Sequence, residues 1–297
     1  LSESHRTSRE CMKELNRCLE SSTGLAFFGL VGDRYGYRPF PPVIEAELFD
    51  KMVAQVTMNT GEASKPCMLL RKWFALDTNT RPPVYRLSPI HAHLPSYIDM
   101  SPEGSVKRRE AEAVWWGQCF EPMQYALRKA AIKLLEAGEV SEQVADTFVR
   151  SVTEEEMMKG ICEAKKSESS RFWGDEATVS NRSALVIRNL VGIKEGDWAD
   201  PVINKYIDKD EAKQGVDEEA AELMSTLRER LLDAIPQERL FEFDVEWQKG
   251  GLDPAKHETH RLYLADLADT MCRLNMEEIV AQLSTRPLVN DLESEMM

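Results

Sequence analysis

LAFFGLVGDRYGYRPFPP, Leu25–Pro42, is the stretch on which the fold turns. Its first seven residues form a short, continuously apolar run with Gly24 and Gly32 at its two ends. Such a run predicts a strand buried on both faces, the pattern of a central strand in a parallel sheet covered by helices. Upstream, Thr7-Ser8-Arg9-Glu10 has the form of a capping box, a hydroxyl followed three positions later by a glutamate. Cys11, Met12, Leu15, Cys18 and Leu19 then recur at helical spacing, and Gly24 lies past the end as a stop signal. A helix that feeds a buried strand predicts α/β architecture.

Downstream of the proline cluster, Ile44 to Met58 again has helical spacing, through Ile44, Leu48, Phe49, Met52, Val53 and Val56. Cys67 to Leu76 is a short amphipathic piece, Val84–Leu87 a brief strand between prolines, and Val106 to Ala137 a long helical stretch predicted to be broken or kinked near Pro122. Ser141 and the Thr153-Glu154-Glu155-Glu156 box each predict a further helix start. The α/β rhythm then returns, with strands at Ala184–Val191 and Leu240–Val245 and helices at Asp217–Ile235 and His257–Leu283. Ser167–Ser170 and Lys209–Gly215 read as polar loops. The expectation is one α/β domain, residues 1–60 and 151–283, with a mostly parallel sheet flanked by helices. A helical insertion at 61–150 interrupts it, and 284–297 forms a trailing linker.

At 297 residues, 42% hydrophobic and 30% charged, the chain can bury a core, and no stretch nears the roughly 18 apolar residues of a membrane span. A net charge of −14 argues against a nucleic-acid surface, which needs a positive face, although Lys107-Arg108-Arg109 forms a local basic patch. Six cysteines without a C-x-x-C pair point to a reduced, cytoplasmic chain. The first residues, Leu-Ser-Glu-Ser-His, lack an initiator methionine, so the sequence reads as a piece of a longer polypeptide.

Candidate chemistry gathers at three places. Gly32, Asp33, Arg34, Tyr35 and Gly36 follow the predicted strand, where open α/β sheets bind ligands. The glycines permit a turn with positive φ or close approach, and the polar side chains either enter the crevice or brace a turn. Glu14 lies between Cys11 and Cys18 at the edge of the apolar stripe, placed for partial desolvation or for an ordinary pair with Arg17. Trp115-Trp116 is either an interface, with one indole facing a partner because neighbours on a helix point about 100° apart and cannot share one pocket, or a pair buried beneath the other helices of the insertion. His257 and His260 share a helical face without a third ligand, and His91 and His93 make a weaker pair, so no metal is expected. There is no P-loop, G-x-G-x-x-G fingerprint or G-x-S-x-G elbow.

The segment SHRTSRECMKELNRCLESSTGLAFFGLVGDRYGYRPFPPVIEAELFDKM resembles the N-terminal region of the NACHT and WD-repeat proteins, which are STAND-type signalling ATPases. RKWFALDTNTRPPVYRLSPI, SVTEEEMMKGI and RLFEFDVEWQKGGLDPAKHETHRLYLADL extend the likeness nearly to the end, and G-D-R-Y-G-Y-R-P is its most specific element. The resemblance implies a TIR-like or DUF4062-like, flavodoxin-like domain, truncated at its N-terminus, with a first strand and helix before Leu1 and a nucleotide-binding NACHT domain after Met297. It implies a sensor or scaffold in a cytoplasmic protein that forms oligomers. Its partners would be other proteins and its own downstream NACHT and WD40 domains. SRECMKEL is also similar to the S-x-W-C-x-x-E-L helix of TIR domains, whose glutamate is catalytic in NAD-cleaving members. Ser8, Cys11, Glu14 and Leu15 match, whereas Glu10 replaces the tryptophan and removes an aromatic packing surface. The leading expectation is therefore a non-catalytic interaction module without cofactor. The alternative is an NAD glycohydrolase that uses Glu14 and takes NAD as substrate.

Overall fold

The computed structural model describes residues 7–22, 24–162, 182–210 and 213–285. Ser167–Ser170, Trp173 and the proposed linker from residue 286 onward lie outside the described residues. Two compact units emerge, one from residues 1–10 and 37–152, the other from 11–36 and 153–297.

The second unit is α/β. Its elements are α1 (Thr7–Ser21, which enters it at Cys11), β1 (Phe27–Val31), and, later in the chain, β5 (Ser183–Val191), α9 (Glu218–Ala234), β8 (Leu240–Glu246) and α10 (Glu258–Thr285). The strands form a parallel sheet in the order β1-β5-β8, with Val31 opposite Ile187 and Arg188 opposite Phe243. Helices cover both faces. Leu185 and Ile187 pack against Ala220, Met224, Leu227 and Leu231 of α9, whereas Leu190 and Val245 pack with Tyr263 of α10. This is the mostly parallel, helix-flanked sheet that the sequence predicts. Asp217 caps α9 by accepting a bond from the Ala220 amide at 3.1 Å, and Glu218 and Glu219 favour the positive end of the helix dipole.

One expectation is corrected here. Among the described residues β1 lies at the border of the sheet, and β5 is the central strand. Leu30 is 47% exposed, whereas the first five residues of β5 are all buried. A continuous apolar run marks cover on both faces, which a border strand also receives, so the run does not encode how many neighbours a strand has. Lys209–Gly215, read as a loop, contains the two short strands β6 (Lys209–Asp210) and β7 (Gly215–Val216), paired antiparallel.

The first unit combines an antiparallel sheet with helices. Strands β2 (Val43–Glu45), β3 (Phe74–Asp77) and β4 (Val84–Leu87) pair in the order β2-β4-β3. Around them lie α2 (Ala46–Thr60), α3 (Lys65–Trp73), α4 (Ile90–His93), α5 (Ser105–Ala113), α6 (Glu121–Glu136) and α7 (Glu142–Val149). Phe49, Met52, Leu70, Trp73, Trp115, Met123 and Leu127 meet in their common core. Ser141 caps α7 through the Val144 amide, as expected. Two details differ from the sequence reading. The helix predicted to be broken or kinked near Pro122 runs on through it and widens just before it, into a π-helical segment at Val114–Phe120, with Phe120 and Glu121 both in right-handed helical conformation. The helix α8 (Val152–Met157) begins one residue ahead of Thr153, so Thr153 lies inside the first turn.

No helix among the described residues is long and apolar enough to cross a membrane. All six cysteines are free thiols, and burial raises the pKa of the Cys119 thiol above its ordinary value. Native-state alkylation followed by peptide mass spectrometry should therefore label the exposed Cys18 and Cys272 first. The buried Cys67 and Cys119 should react only once the chain is unfolded.

Candidate functional site

Where β1 ends, the chain passes through Gly32 into Asp33, and the carboxylate turns back on the sheet. Asp33 Oδ2 accepts a hydrogen bond from the Leu190 amide of β5 at 3.0 Å, and Oδ1 lies 3.5 Å from Nη2 of Arg228 on α9. The same Arg228 donates to the Gly32 carbonyl at 2.9 Å and to Asn189 Oδ1 at 3.0 Å. One carboxylate and one guanidinium thus join the ends of two strands to the helix that covers them. The Asp33 backbone also pairs with Ile207 in a single parallel bridge.

The next three residues are held by Asp208. Its Oδ2 accepts from the amides of Tyr35 at 2.7 Å and Gly36 at 3.1 Å, and its Oδ1 lies 3.5 Å from Nε of the half-exposed Arg34. Gly36 has φ +95°, a conformation that side chains other than glycine's rarely tolerate. The Tyr35 ring is fully buried, and its hydroxyl donates to Glu154 of α8, which also receives Nη1 of Arg230 at 3.2 Å. Gly32, Asp33, Arg34, Tyr35 and Gly36 are therefore brought together at one corner at the carboxyl end of the sheet. Their polar atoms are engaged by Leu190, Asp208, Glu154 and Arg228. These partners lie more than a hundred residues away, and nothing in the local spacing of the motif announces them. Glu154, read from sequence as part of a helix cap, is instead the buried acceptor beneath Tyr35.

Glu14 is 61% exposed and pairs with Arg17 at 3.5 Å on its own helix, the second of the two placements that its position on the stripe allows. A residue at the edge of an apolar stripe can turn to either side, and this long carboxylate turns to water. His260 is fully buried, but both ring nitrogens are taken by the main chain. Nδ1 accepts from the Asp253 amide at 3.0 Å, and Nε2 lies 2.9 Å from the Glu246 carbonyl. Among the described residues, no group of three or more His, Cys, Asp or Glu side chains is arranged to hold a metal ion.

In the other unit the tryptophan pair divides. Trp115 is buried against Trp73, with ring centroids 4.7 Å apart. Trp116 is half-buried, set edge-on to Tyr37 and Phe120 at 5.9 and 5.1 Å. Trp116 also lines an open groove of about 610 Å³ with Tyr97, Ile98, Met100, Arg108, Arg109 and Glu112. Ile98 and Met100 are exposed there, Arg108 reaches Glu112 at 3.8 Å, and Arg109 is exposed.

The strand-end corner makes a measurable claim on stability. Replacing Asp33 by Ala strands the Leu190 amide and Arg228, and unfolding by urea should show a loss of about 2–4 kcal/mol. Asp33→Asn, which retains an acceptor, should lose less. Tyr35→Phe removes one buried hydrogen bond and should lose about 1–2 kcal/mol.

Sequence comparison then places the chain among its relatives. It is 26% identical over 277 residues to NACHT domain- and WD repeat-containing protein 1 of Mus musculus, which covers 93% of this chain and 15% of that protein. It is 24% identical over 269 residues to the protein of that name in Homo sapiens, covering 89% of this chain and 14% of the relative. It is 31% identical over 147 residues to NACHT and WD repeat domain-containing protein 2 of Homo sapiens, covering 49% of this chain and 8% of the relative. No family model matches, and no solved structure gives a significant match. The homologues of this chain across most of its length are NACHT and WD repeat-containing proteins, of whose full length it spans a small fraction.

Proposed function

We propose that this chain is a protein-interaction module of a cytoplasmic, STAND-type signalling protein, a non-catalytic scaffold or sensor that works with NACHT and WD-repeat domains of the same polypeptide. The observation that carries the reading is the likeness to a NACHT and WD repeat-containing protein over 93% of the chain, which runs through both compact units. In this reading the parallel-sheet unit is a TIR-like or DUF4062-like domain, and copies of the chain meet when the protein assembles. The groove beside Trp116 supports the reading. It offers an indole, exposed aliphatic side chains and a rim of Arg108 and Arg109, the first of them paired with Glu112, in a chain whose net charge is −14. Aromatic and arginine side chains at the centre of such a surface carry most of the binding energy in protein interfaces. Its occupant is an acidic segment that presents one aliphatic or aromatic residue.

Calorimetric titration of the chain with the NACHT and WD-repeat domains of its own polypeptide tests the proposal. Trp116→Ala should weaken binding at least about tenfold, or about 1.4 kcal/mol, and Arg109→Glu should weaken it in a salt-dependent way. Binding unchanged in both variants would sink the assignment of this surface. Incubation with NAD supplies the contrary outcome, since nicotinamide release that disappears in Glu14→Ala would replace the interaction reading with that of a hydrolase.

A further inference from the structure

Strand β5 reads SALVIRNLV, and on one of its two faces a single residue does not fit. Side chains alternate across a strand, so Ala184, Val186, Arg188 and Leu190 share one face of the sheet. Ala184, Val186 and Leu190 are buried. Arg188 places a guanidinium on that same face of the central strand, at the carboxyl end of the sheet. Its Nε is fully buried and has no hydrogen-bond partner, and among the described residues no carboxylate reaches it. The nearby acid is already committed, because Asp33 is bound to the Leu190 amide and to Arg228. In place of an ion pair, the Arg188 guanidinium lies over the Tyr206 ring, 5.6 Å from its centroid. Gly32 leaves the space in which it sits, for a Cβ at position 32 would come 2.8 Å from Nη2 of Arg188.

Arg188 as a whole is half-buried, so the outer nitrogens of its guanidinium stay within reach of a solute while Nε is shut away without an acceptor, and a buried donor left without one costs stability. An orphan donor of this kind calls for a partner, and the carboxyl ends of parallel strands are where open α/β sheets receive ligands. A guanidinium fork matches the oxygens of phosphate and carboxylate groups. We propose that Arg188, with Tyr206 beneath it and Gly32 beside it, anchors a binding site for a small oxyanion, the phosphate or carboxylate group of a small molecule. The proposal stands apart from the interaction reading, since these residues and the Trp116 groove belong to different compact units.

Thermal unfolding of the whole chain in sodium phosphate, sodium acetate and sodium chloride at matched ionic strength tests it. The unfolding midpoint should rise and saturate with phosphate or acetate relative to chloride. A rise with phosphate alone assigns a phosphate group, and a rise with both assigns an oxyanion of either kind. Arg188→Met should remain folded in chloride and show no response to the anions. Gly32→Ala, whose backbone is not in the positive-φ region, should displace the guanidinium and weaken the anion's apparent affinity at least about tenfold. An equal anion response in Arg188→Met, or no response in the parent chain to phosphate or acetate, would overturn the site. Should Arg188→Met fail to fold, the Gly32→Ala titration decides, and an undiminished response there counts against the proposal.

Discussion

A carboxylate at residue 33 holds the end of β1 to the middle of its sheet. Sheet pairing between β1 and β5 stops at Val31 and Ile187, and beyond that point the chain has no ladder to follow. Asp33 extends the joint by binding the Leu190 amide, and through Arg228 it extends it to α9. Because Arg228 also binds the Gly32 carbonyl and Asn189, the charge pair and the main-chain bonds support one another. Mutual support of this kind strengthens partly buried polar networks and makes each member expensive to remove. The turn at Asp208, the burial of Tyr35 and the position of Gly32 beside Arg188 all follow from where this joint leaves the chain.

The same few residues meet two demands that pull in opposite directions. A strand end in an α/β sheet is where ligands find exposed backbone and dipoles, yet it must also close off the core. Here most of the charged groups serve closure. Asp33 faces Arg228, Asp208 faces Arg34, and Glu154 faces Tyr35 and Arg230. Arg188 departs from that pattern, with an aromatic ring where its neighbours have acids.

Much of the architecture is legible in the sequence because its signals are periodic or chemical. The apolar run at Leu25–Val31, the alternation in β8, the Ser141 and Asp217 caps and the stripe of α9 each depend on residues within a few positions of one another. What is not legible depends on distance along the chain. The border position of β1 is set by which strands meet, and its own side chains do not encode that. Asp33 and Tyr35 stand out as part of a conspicuous motif, but Asp208, Arg228 and Glu154 look like ordinary charged residues on a loop and two helices until the fold gathers them. Glu14 shows the converse limit, since its place beside an apolar stripe fixes a direction only to within the reach of a flexible side chain. The separation of Trp115 from Trp116 follows from helical geometry, whereas the groove beside Trp116 depends on Tyr97 and Met100 arriving from another segment.

The widened turn at Val114–Phe120 has its own consequence for how this chain tolerates change in length. A π-helical turn accommodates an extra residue inside an otherwise regular helix. Loss of a single residue there would leave a regular helix whose later residues keep their facing, because the widened turn has already absorbed the extra residue. Met123, Leu127 and Leu134 would stay turned inward. In related chains this segment should therefore tolerate being one residue shorter, as ordinary α-helix.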